Sequence, residues 1–226
     1  MRGLIVAAAF FLLIHFGIAG SRLRDVLVAR LGEKTFRGLF ALLSAAGLAW
    51  LIFAYRRAPL ETLWLAPRPL AHSAFGLVLL AFLLAVPGLL TPNPTAAGRE
   101  PRLESSDAVQ GIVRVTRHPF LWGTALWALA HLLANGDLAS VVFFGSLLLL
   151  ALAGTFSIDA KRRRHFGASW NAFERATSSV PFGAIAAGRN RLAIGEIGAW
   201  RLLAALAAYA VVLAFHATWF GVNPLP

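Results

Sequence analysis

The segment from Leu138 to Ile158 reads LASVVFFGSLLLLALAGTFSI and carries no charged side chain. A helix needs about 20 apolar residues to cross the hydrocarbon core of a bilayer, and this segment has that length. Asn135-Gly136-Asp137 separates it from another apolar block, at 119–134. Because so short a connection allows only a tight turn, we expect the two blocks to form an antiparallel helical hairpin.

Similar apolar blocks occur along the whole chain. Hydrophobic residues make up 58% of the 226 residues and charged residues only 14%, and the mean hydropathy is +0.70. This composition excludes a large soluble domain. We predict an all-α, polytopic membrane helix bundle that forms a single domain over residues 1–226, with about six transmembrane helices near 4–19, 39–55, 70–90, 119–134, 138–158 and 200–220.

The basic residues are distributed unevenly between the predicted connections. The first, third and fifth connections hold sixteen Lys and Arg, whereas the N-terminal end and the second and fourth connections hold four. The positive-inside rule therefore predicts a bacterial inner-membrane protein with cytoplasmic odd connections and both termini in the periplasm. These loops account for the net charge of +11, so we expect membrane lipid, and no nucleic acid, as a partner.

One basic connection, at 161–180, differs in kind from the others. Its basic start is followed by Phe166, Trp170 and Phe173 at helical spacing. This pattern is typical of a short amphipathic helix in the cytoplasmic headgroup region, and a plain solvated loop is the alternative.

Histidine is the main candidate for metal or cofactor binding, because the chain has no cysteine and a single methionine at its start. A polar ring inside a bilayer needs a partner, a cavity or a ligand, and neutral imidazole is a common axial ligand of haem iron. For each histidine, a hydrogen bond to a neighbouring carbonyl or hydroxyl is the alternative. The predicted orientation places His15, His118 and His165 in the cytoplasmic half, and His72, His131 and His216 in the periplasmic half.

Two of these positions are constrained further. His118 and His131 lie on nearly opposite faces of one helix, about 20 Å apart along its axis, so they cannot bind the same metal. His15 lies in the apolar run FFLLIHF from residue 10 to 16, where water is scarce. That first block has some features of a cleavable signal peptide, but His15 favours a retained helix.

Thr116-Arg117-His118-Pro119 opens the fourth predicted helix. Proline is comfortable in a first helical turn, and the free backbone N–H groups there favour an anionic ligand. Arg117 and His118 are therefore candidates for binding a carboxylate or phosphate. The alternative is that Arg117 reaches lipid phosphates at the membrane surface. Glycine-rich phosphate loops and serine-histidine-acid arrangements are not evident in the sequence.

The run from Thr116 to Asp137, TRHPFLWGTALWALAHLLANGD, closely resembles the signature of the NnrU family of bacterial membrane proteins, and the resemblance extends over nearly the whole chain. It implies a link to nitrite and nitric oxide metabolism, with nitric oxide pathway proteins as partners. The family also includes plant and cyanobacterial haem b enzymes that isomerise 15-cis-zeta-carotene. The resemblance therefore implies, as the other possibility, haem-dependent cis-trans isomerisation of a hydrophobic polyene substrate.

The same resemblance implies axial haem b ligands at His15 and His131. These residues are expected to lie roughly 10 Å apart along the membrane normal, which two axial side chains can bridge. His72 with His131 is the second-choice pair, and Arg117 and His118 are further candidates for cofactor binding. The isomerase's redox switch also involves a cysteine, and this chain has none.

A second resemblance implies a different class of function. Arg117-His118-Pro119, followed by the segment 166–181, is similar to the C-terminal core of isoprenylcysteine and phospholipid methyltransferases, which bind S-adenosylmethionine. Leu121 stands where that group usually has tyrosine, and Ile158-Asp159 replaces its usual glutamate pair. A membrane methyltransferase is thus one alternative, and a non-enzymatic accessory factor for nitric oxide reductase is another.

Overall fold

The computed structural model describes residues 1–224, except for the side chain of Ala71. Within this range the regular elements are helical, which confirms the all-α prediction. The long helices are α1 (Arg2–Leu13), α3 (Glu33–Arg56), α4 (Arg68–Leu90), α6 (Pro119–Asn135), α7 (Leu138–Ala176) and α10 (Ala199–Phe220). Shorter helices in the connections are α2 (Leu23–Leu31), α5 (Ile112–Val115), α8 (Gly183–Ala186) and α9 (Ile194–Ile197), with a 3₁₀ turn at Glu100–Glu104.

Five helices in the described part of the chain are long and apolar enough to cross a membrane. They are α1 with its continuation to Ala19, α3, α4, α7 and α10. The predicted fourth span is α6, a helix of 17 residues. At 1.5 Å per residue it is about 25 Å long, the lower limit for crossing the hydrocarbon core.

The first span ends in a wider turn than an α-helix has. Residues Ile14–Ala19 are π-helical, and the backbone N–H of Gly20 donates to the carbonyl of His15, five residues earlier (2.8 Å). The carbonyl of Ala19 accepts a hydrogen bond from Nζ of Lys161 on α7 (2.9 Å). A carbonyl that the helix end would leave unpaired is thereby satisfied, and the turn is joined to α7.

The hairpin predicted from Asn135-Gly136-Asp137 is confirmed. Gly136 adopts a left-handed conformation with φ 68°, which ends α6. Asp137 then caps α7, because its carboxylate accepts from the backbone N–H of Ser140 (2.9 Å). The two helices consequently run antiparallel and pack along their length.

Helices α4 and α6 approach each other closely through small residues. A Cβ atom at Gly123 would lie 2.7 Å from the Ala81 carbonyl oxygen and 2.7 Å from the Ala85 Cβ. A Cβ at Gly88 would lie 2.8 Å from the Pro119 ring. Inside a membrane the hydrophobic effect does not drive helices together, so association depends on close van der Waals packing. Small residues at the interface allow that packing.

The segment predicted to be a separate amphipathic helix is the end of α7. The helix breaks at Gly167 (φ 45°, ψ −114°) and then continues to Ala176. Beyond the break, Trp170 and Phe173 are buried against Leu103, Ala108 and Val113 of the third connection. These aromatic side chains therefore pack within the protein and not against lipid headgroups.

The largest apolar core lies between α1, α3, α6 and α7. We refer to it as the central apolar cluster. Its buried members are Leu4, Ala7, Ala8, Phe11, Ile14, Leu51, Ala128, Ala139, Phe143, Phe144 and Leu147.

Candidate functional site

His15 lies at the edge of the central apolar cluster and is half-buried. Its Nδ1 donates to the carbonyl of Phe11, one turn earlier on α1 (2.7 Å). The imidazole contacts the rings of Phe11 and Phe40, with centroids 4.5 and 5.4 Å away. Among residues 1–224, no group forms a hydrogen bond with its Nε2.

His131 has a matching environment on α6. Its Nδ1 donates to the carbonyl of Trp127, also one turn earlier (2.8 Å). Its ring stacks on Phe144 of α7, with centroids 4.7 Å apart and planes 22° from parallel. Within the described chain its Nε2 likewise has no hydrogen-bond partner.

Each of these two histidines has the donor arrangement of a metal-binding imidazole. Metal-binding histidines usually donate their second ring N–H to a carbonyl or carboxylate, which fixes the tautomer and leaves the other nitrogen for the metal. Each touches a buried member of the central apolar cluster, Phe11 for His15 and Phe144 for His131. No ring contact joins the two histidines within residues 1–224. No group of three or more histidine and acidic residues that could hold a metal ion occurs there either.

The other three histidines outside the start of α6 make different contacts. His72 is exposed on α4, a helix that contributes nothing to the central apolar cluster, and bonds the carbonyl of Arg68 (2.6 Å). His216 bonds the carbonyl of Val222 (2.8 Å). His165 is exposed, 3.6 Å from the carboxylate of Asp25. Of the second-choice pair, His131 contacts the central apolar cluster and His72 does not.

At the opposite end of α6 from the turn, Arg117, His118 and Asp159 form what we call the buried ionic cluster. The Asp159 carboxylate accepts two hydrogen bonds from Nε of Arg117 (3.0 and 3.2 Å) and one from Nη2 (2.6 Å). Nε2 of His118 donates to the same carboxylate (2.7 Å). The three residues are only 2% to 7% exposed. The anion expected beside Arg117 and His118 is thus supplied by the chain itself, and Arg117 does not extend to the membrane surface.

Backbone contacts hold Arg117 and His118 at the start of α6. The carbonyl of Arg117 accepts hydrogen bonds from Asn93 and Thr95 (3.0 and 2.9 Å), which belong to the proline-rich exit from α4. The N–H of Arg117 donates to the carbonyl of Ser178, beyond the end of α7 (2.9 Å). Three segments that are far apart in the sequence therefore position the buried ionic cluster.

The charges of the buried ionic cluster are balanced locally. Burial lowers the pKa of His118 below 6.5, whereas its hydrogen bond to Asp159 acts in the opposite direction. The Asp159 charge is shared with Arg117 through a bidentate pair, which weakens its influence on the imidazole. His118 is therefore neutral at pH 7, with its proton on Nε2 and a lone pair on Nδ1.

Sequence reasoning did not identify Asp159 as a site residue. A signal was present, because residues 118 and 159 lie roughly equally far from the turn at Asn135-Gly136-Asp137. At 1.5 Å per residue the two positions reach the same end of the hairpin to within about 6 Å. Counting outward from the turn would have paired this lone acid with Arg117 and His118.

A cavity of about 340 Å³ adjoins the buried ionic cluster. It lies between the end of α4, the proline-rich segment that follows, and the first turn of α6. Its lining is mainly apolar but includes His118, Thr91 and Arg99.

The chain is an all-α bundle, and five helices in its described part are long and apolar enough to cross a membrane. These features are those of a polytopic helical membrane protein. The chain belongs to the NnrU family, since the family model described as NnrU protein matches residues 3–224. This confirms the family resemblance recognised in the sequence from Thr116 to Asp137.

Two curated relatives carry the description "15-cis-zeta-carotene isomerase, chloroplastic". The protein from Arabidopsis thaliana is 31% identical over 195 residues, which cover 84% of this chain and 52% of the relative. The protein from Zea mays is 28% identical over 197 residues, with coverage of 84% and 52%. The chain thus spans about half the length of these relatives. No solved structure matches it.

Proposed function

We propose that this protein is a haem b-binding membrane isomerase that converts a cis bond of a hydrophobic polyene to trans. The similarity to the two isomerases motivates the reaction class. The observation that carries the site is the matched environment of His15 and His131. Each has Nδ1 fixed by a carbonyl of its own helix and lies on the rim of one apolar cluster, and each leaves Nε2 without a partner among the described residues.

In this proposal His15 and His131 would hold the haem iron through Nε2. The rings of Phe11, Phe40, Trp127 and Phe144 surround the two imidazoles and exclude water. A haem would supply a redox-active iron beside the polyene. The isomerisation itself adds and removes no atom, so the protein's task is to admit an apolar substrate from the lipid and hold it while one double bond rotates.

A pyridine haemochrome spectrum of the detergent-purified protein tests the cofactor. We expect haem b in the wild type, and loss of the Soret band in both His15→Ala and His131→Ala. His165→Ala is the control, because His165 is exposed beside Asp25 and belongs to neither candidate pair. Absence of haem from wild-type protein made with ample iron and haem precursor would refute the proposal.

The reaction is tested separately with the reduced, haem-loaded protein. Chromatography of a 15-cis-zeta-carotene substrate should show conversion to the trans product by the wild type and none by His131→Ala. A haem-loaded protein that converts no cis-carotene would leave the cofactor assignment in place but remove the isomerase assignment.

We also propose that the protein resides in a bacterial inner membrane with both termini in the periplasm. The support is the concentration of Lys and Arg in the odd connections. The association with nitrite and nitric oxide metabolism remains a proposal from the NnrU resemblance, and neither isomerase description mentions it. Genes for nitric oxide reductases next to this one, in place of carotenoid genes, would favour the accessory-factor alternative.

A membrane methyltransferase is the second candidate. The similarity to isoprenylcysteine and phospholipid methyltransferases rests on two segments, one with Arg117 and one with Trp170. In the structure the Arg117 guanidinium lies 5.8 Å from the centroid of the Trp170 ring, which favours this candidate. Isothermal titration calorimetry with S-adenosylmethionine decides this question, and absence of binding would exclude it.

A further inference from the structure

The cavity beside the buried ionic cluster contains a polar group without a partner. Thr91 lines the cavity and is 6% exposed. Within residues 1–224 its buried hydroxyl oxygen makes no hydrogen bond. An unpaired buried hydroxyl is costly, so a ligand group that bonds it would be stabilised there.

His118 offers the cavity a second polar atom of defined character. Asp159 holds Nε2 of His118 but does not line the cavity. The ring nitrogen left for a ligand is therefore Nδ1, which has no partner among the described residues. In the neutral imidazole this nitrogen is an acceptor, so it selects a ligand that carries a hydroxyl or another hydrogen-bond donor.

The entrance adds a positive charge. Arg99 lines the cavity and is exposed, and no acidic side chain in residues 1–224 forms an ion pair with it. By contrast, Arg102 in the same connection pairs with Asp107 (3.0 Å). An anionic group on the ligand would thus find an unneutralised guanidinium at the entrance.

Apart from Asn93 and Thr95, whose side chains bond the Arg117 carbonyl, the remaining wall is apolar. Leu89 and Leu90 at the end of α4 and Phe120 at the start of α6 line the cavity and are 41% to 66% exposed. In the predicted topology they lie at the cytoplasmic ends of these helices. A ligand with an acyl chain could keep the chain against them while its polar head occupied the cavity.

We propose that this cavity binds an anionic phospholipid with a hydroxylated headgroup, of which phosphatidylglycerol is the simplest probe. The phosphate lies at Arg99, one headgroup hydroxyl donates to Nδ1 of His118, and another bonds the Thr91 hydroxyl. The volume of about 340 Å³ falls at the small end of the range of ligand pockets, about 300–1,000 Å³, and suits a headgroup better than a whole lipid. This site does not depend on the haem proposal.

Native mass spectrometry of the full chain, released from detergent with one added lipid at a time, tests the inference. We expect retention to decrease in the order phosphatidylglycerol, phosphatidic acid, phosphatidylcholine. Arg99→Gln should weaken phosphatidylglycerol binding about tenfold through loss of a charge-assisted bond. Thr91→Val should weaken it about threefold and leave the folded protein intact, since the removed hydroxyl has no protein partner.

Two matched controls make the test specific. Arg102→Gln removes a cation from the same connection, and Thr124→Val removes a hydroxyl that bonds its own helix at the Phe120 carbonyl. Both should bind phosphatidylglycerol as the wild type does. The inference is overturned if the wild type retains all three lipids equally or if the site variants match the controls. It is also overturned if soluble glycerol phosphate or S-adenosylmethionine displaces the lipid at equal concentration, because the cavity then serves an aqueous ligand.

Discussion

Replacement of Asp159 by asparagine should destabilise the protein more than any exposed charge substitution. The side chains of Arg117 and Asp159 are 8% and 10% exposed, so water screens their attraction only weakly. Asp159→Asn leaves the buried guanidinium with only the partly exposed carboxylate of Glu174, 3.4 Å away, as a counter-charge. It also changes the hydrogen bond to His118. Removing one member of a buried ion pair costs about 3–5 kcal/mol. Because asparagine keeps some of the hydrogen bonds, we expect a loss of about 3 kcal/mol in the free energy of unfolding.

Two comparison variants distinguish burial from charge alone. Arg163→Gln breaks the pair with Glu174, in which the arginine side chain is 53% exposed. It should lower the free energy of unfolding far less than Asp159→Asn does, because water screens an exposed pair. The double variant Arg117→Met with Asp159→Leu removes both buried charges and should recover most of the loss, because apolar replacements of a whole buried pair are often neutral.

The measurement is reversible unfolding in mixed micelles, with the free energy taken from a denaturing-detergent titration followed by tryptophan fluorescence. If Asp159→Asn loses less than about 1 kcal/mol, or if the double variant is as unstable as the single one, then the buried ionic cluster does not contribute as argued.

Three further outcomes follow from the structure. Gly123→Leu should separate α4 from α6, since even a Cβ there would lie 2.7 Å from the Ala85 Cβ. The melting temperature measured by scanning fluorimetry should therefore fall, and an unchanged value would contradict the close packing. Stability should fall as the pH drops below 6.5, because burial lowers the pKa of His118 and the folded protein therefore favours the neutral imidazole. A loss that begins near pH 6.5 and persists unchanged in His118→Gln would assign the effect to other groups. In this cysteine-free chain, Leu65→Cys should react with an impermeant maleimide from the periplasm and Lys34→Cys should not; the reverse pattern would invert the topology.

The sequence predicted the helices well because the membrane restricts what an apolar segment can do. A block such as 138–158 has few structural options besides a spanning helix, and the observed α7 contains it entirely. The turn at Asn135-Gly136-Asp137 was equally predictable, since its length leaves only a tight connection.

The contacts at the end of the bundle were harder to predict. The continuation of α7 past residue 158, and the burial of Trp170 against the third connection, depend on tertiary packing that charge and periodicity do not encode. The partner of Arg117 was missed for a related reason. Asp159 stands beside a strongly basic run, where an acidic residue is typical of an ordinary loop. Only the distance of Asp159 from the turn, compared with that of His118, indicates that the two residues lie at the same end of the hairpin.

The π-helical turn at Ile14–Ala19 determines where the first span can lose a residue. Such a turn holds one residue more than regular α-helical winding would. Deleting a single residue there, for example Gly17, would remove the extra residue and let α-helical winding resume with little change in the phase between His15 and the residues after Ala19. The same deletion in the regular part of α1 would rotate the following residues by about 100°. A one-residue deletion is therefore expected to keep the contact between Lys161 and the Ala19 carbonyl only when it falls in the π-helical turn.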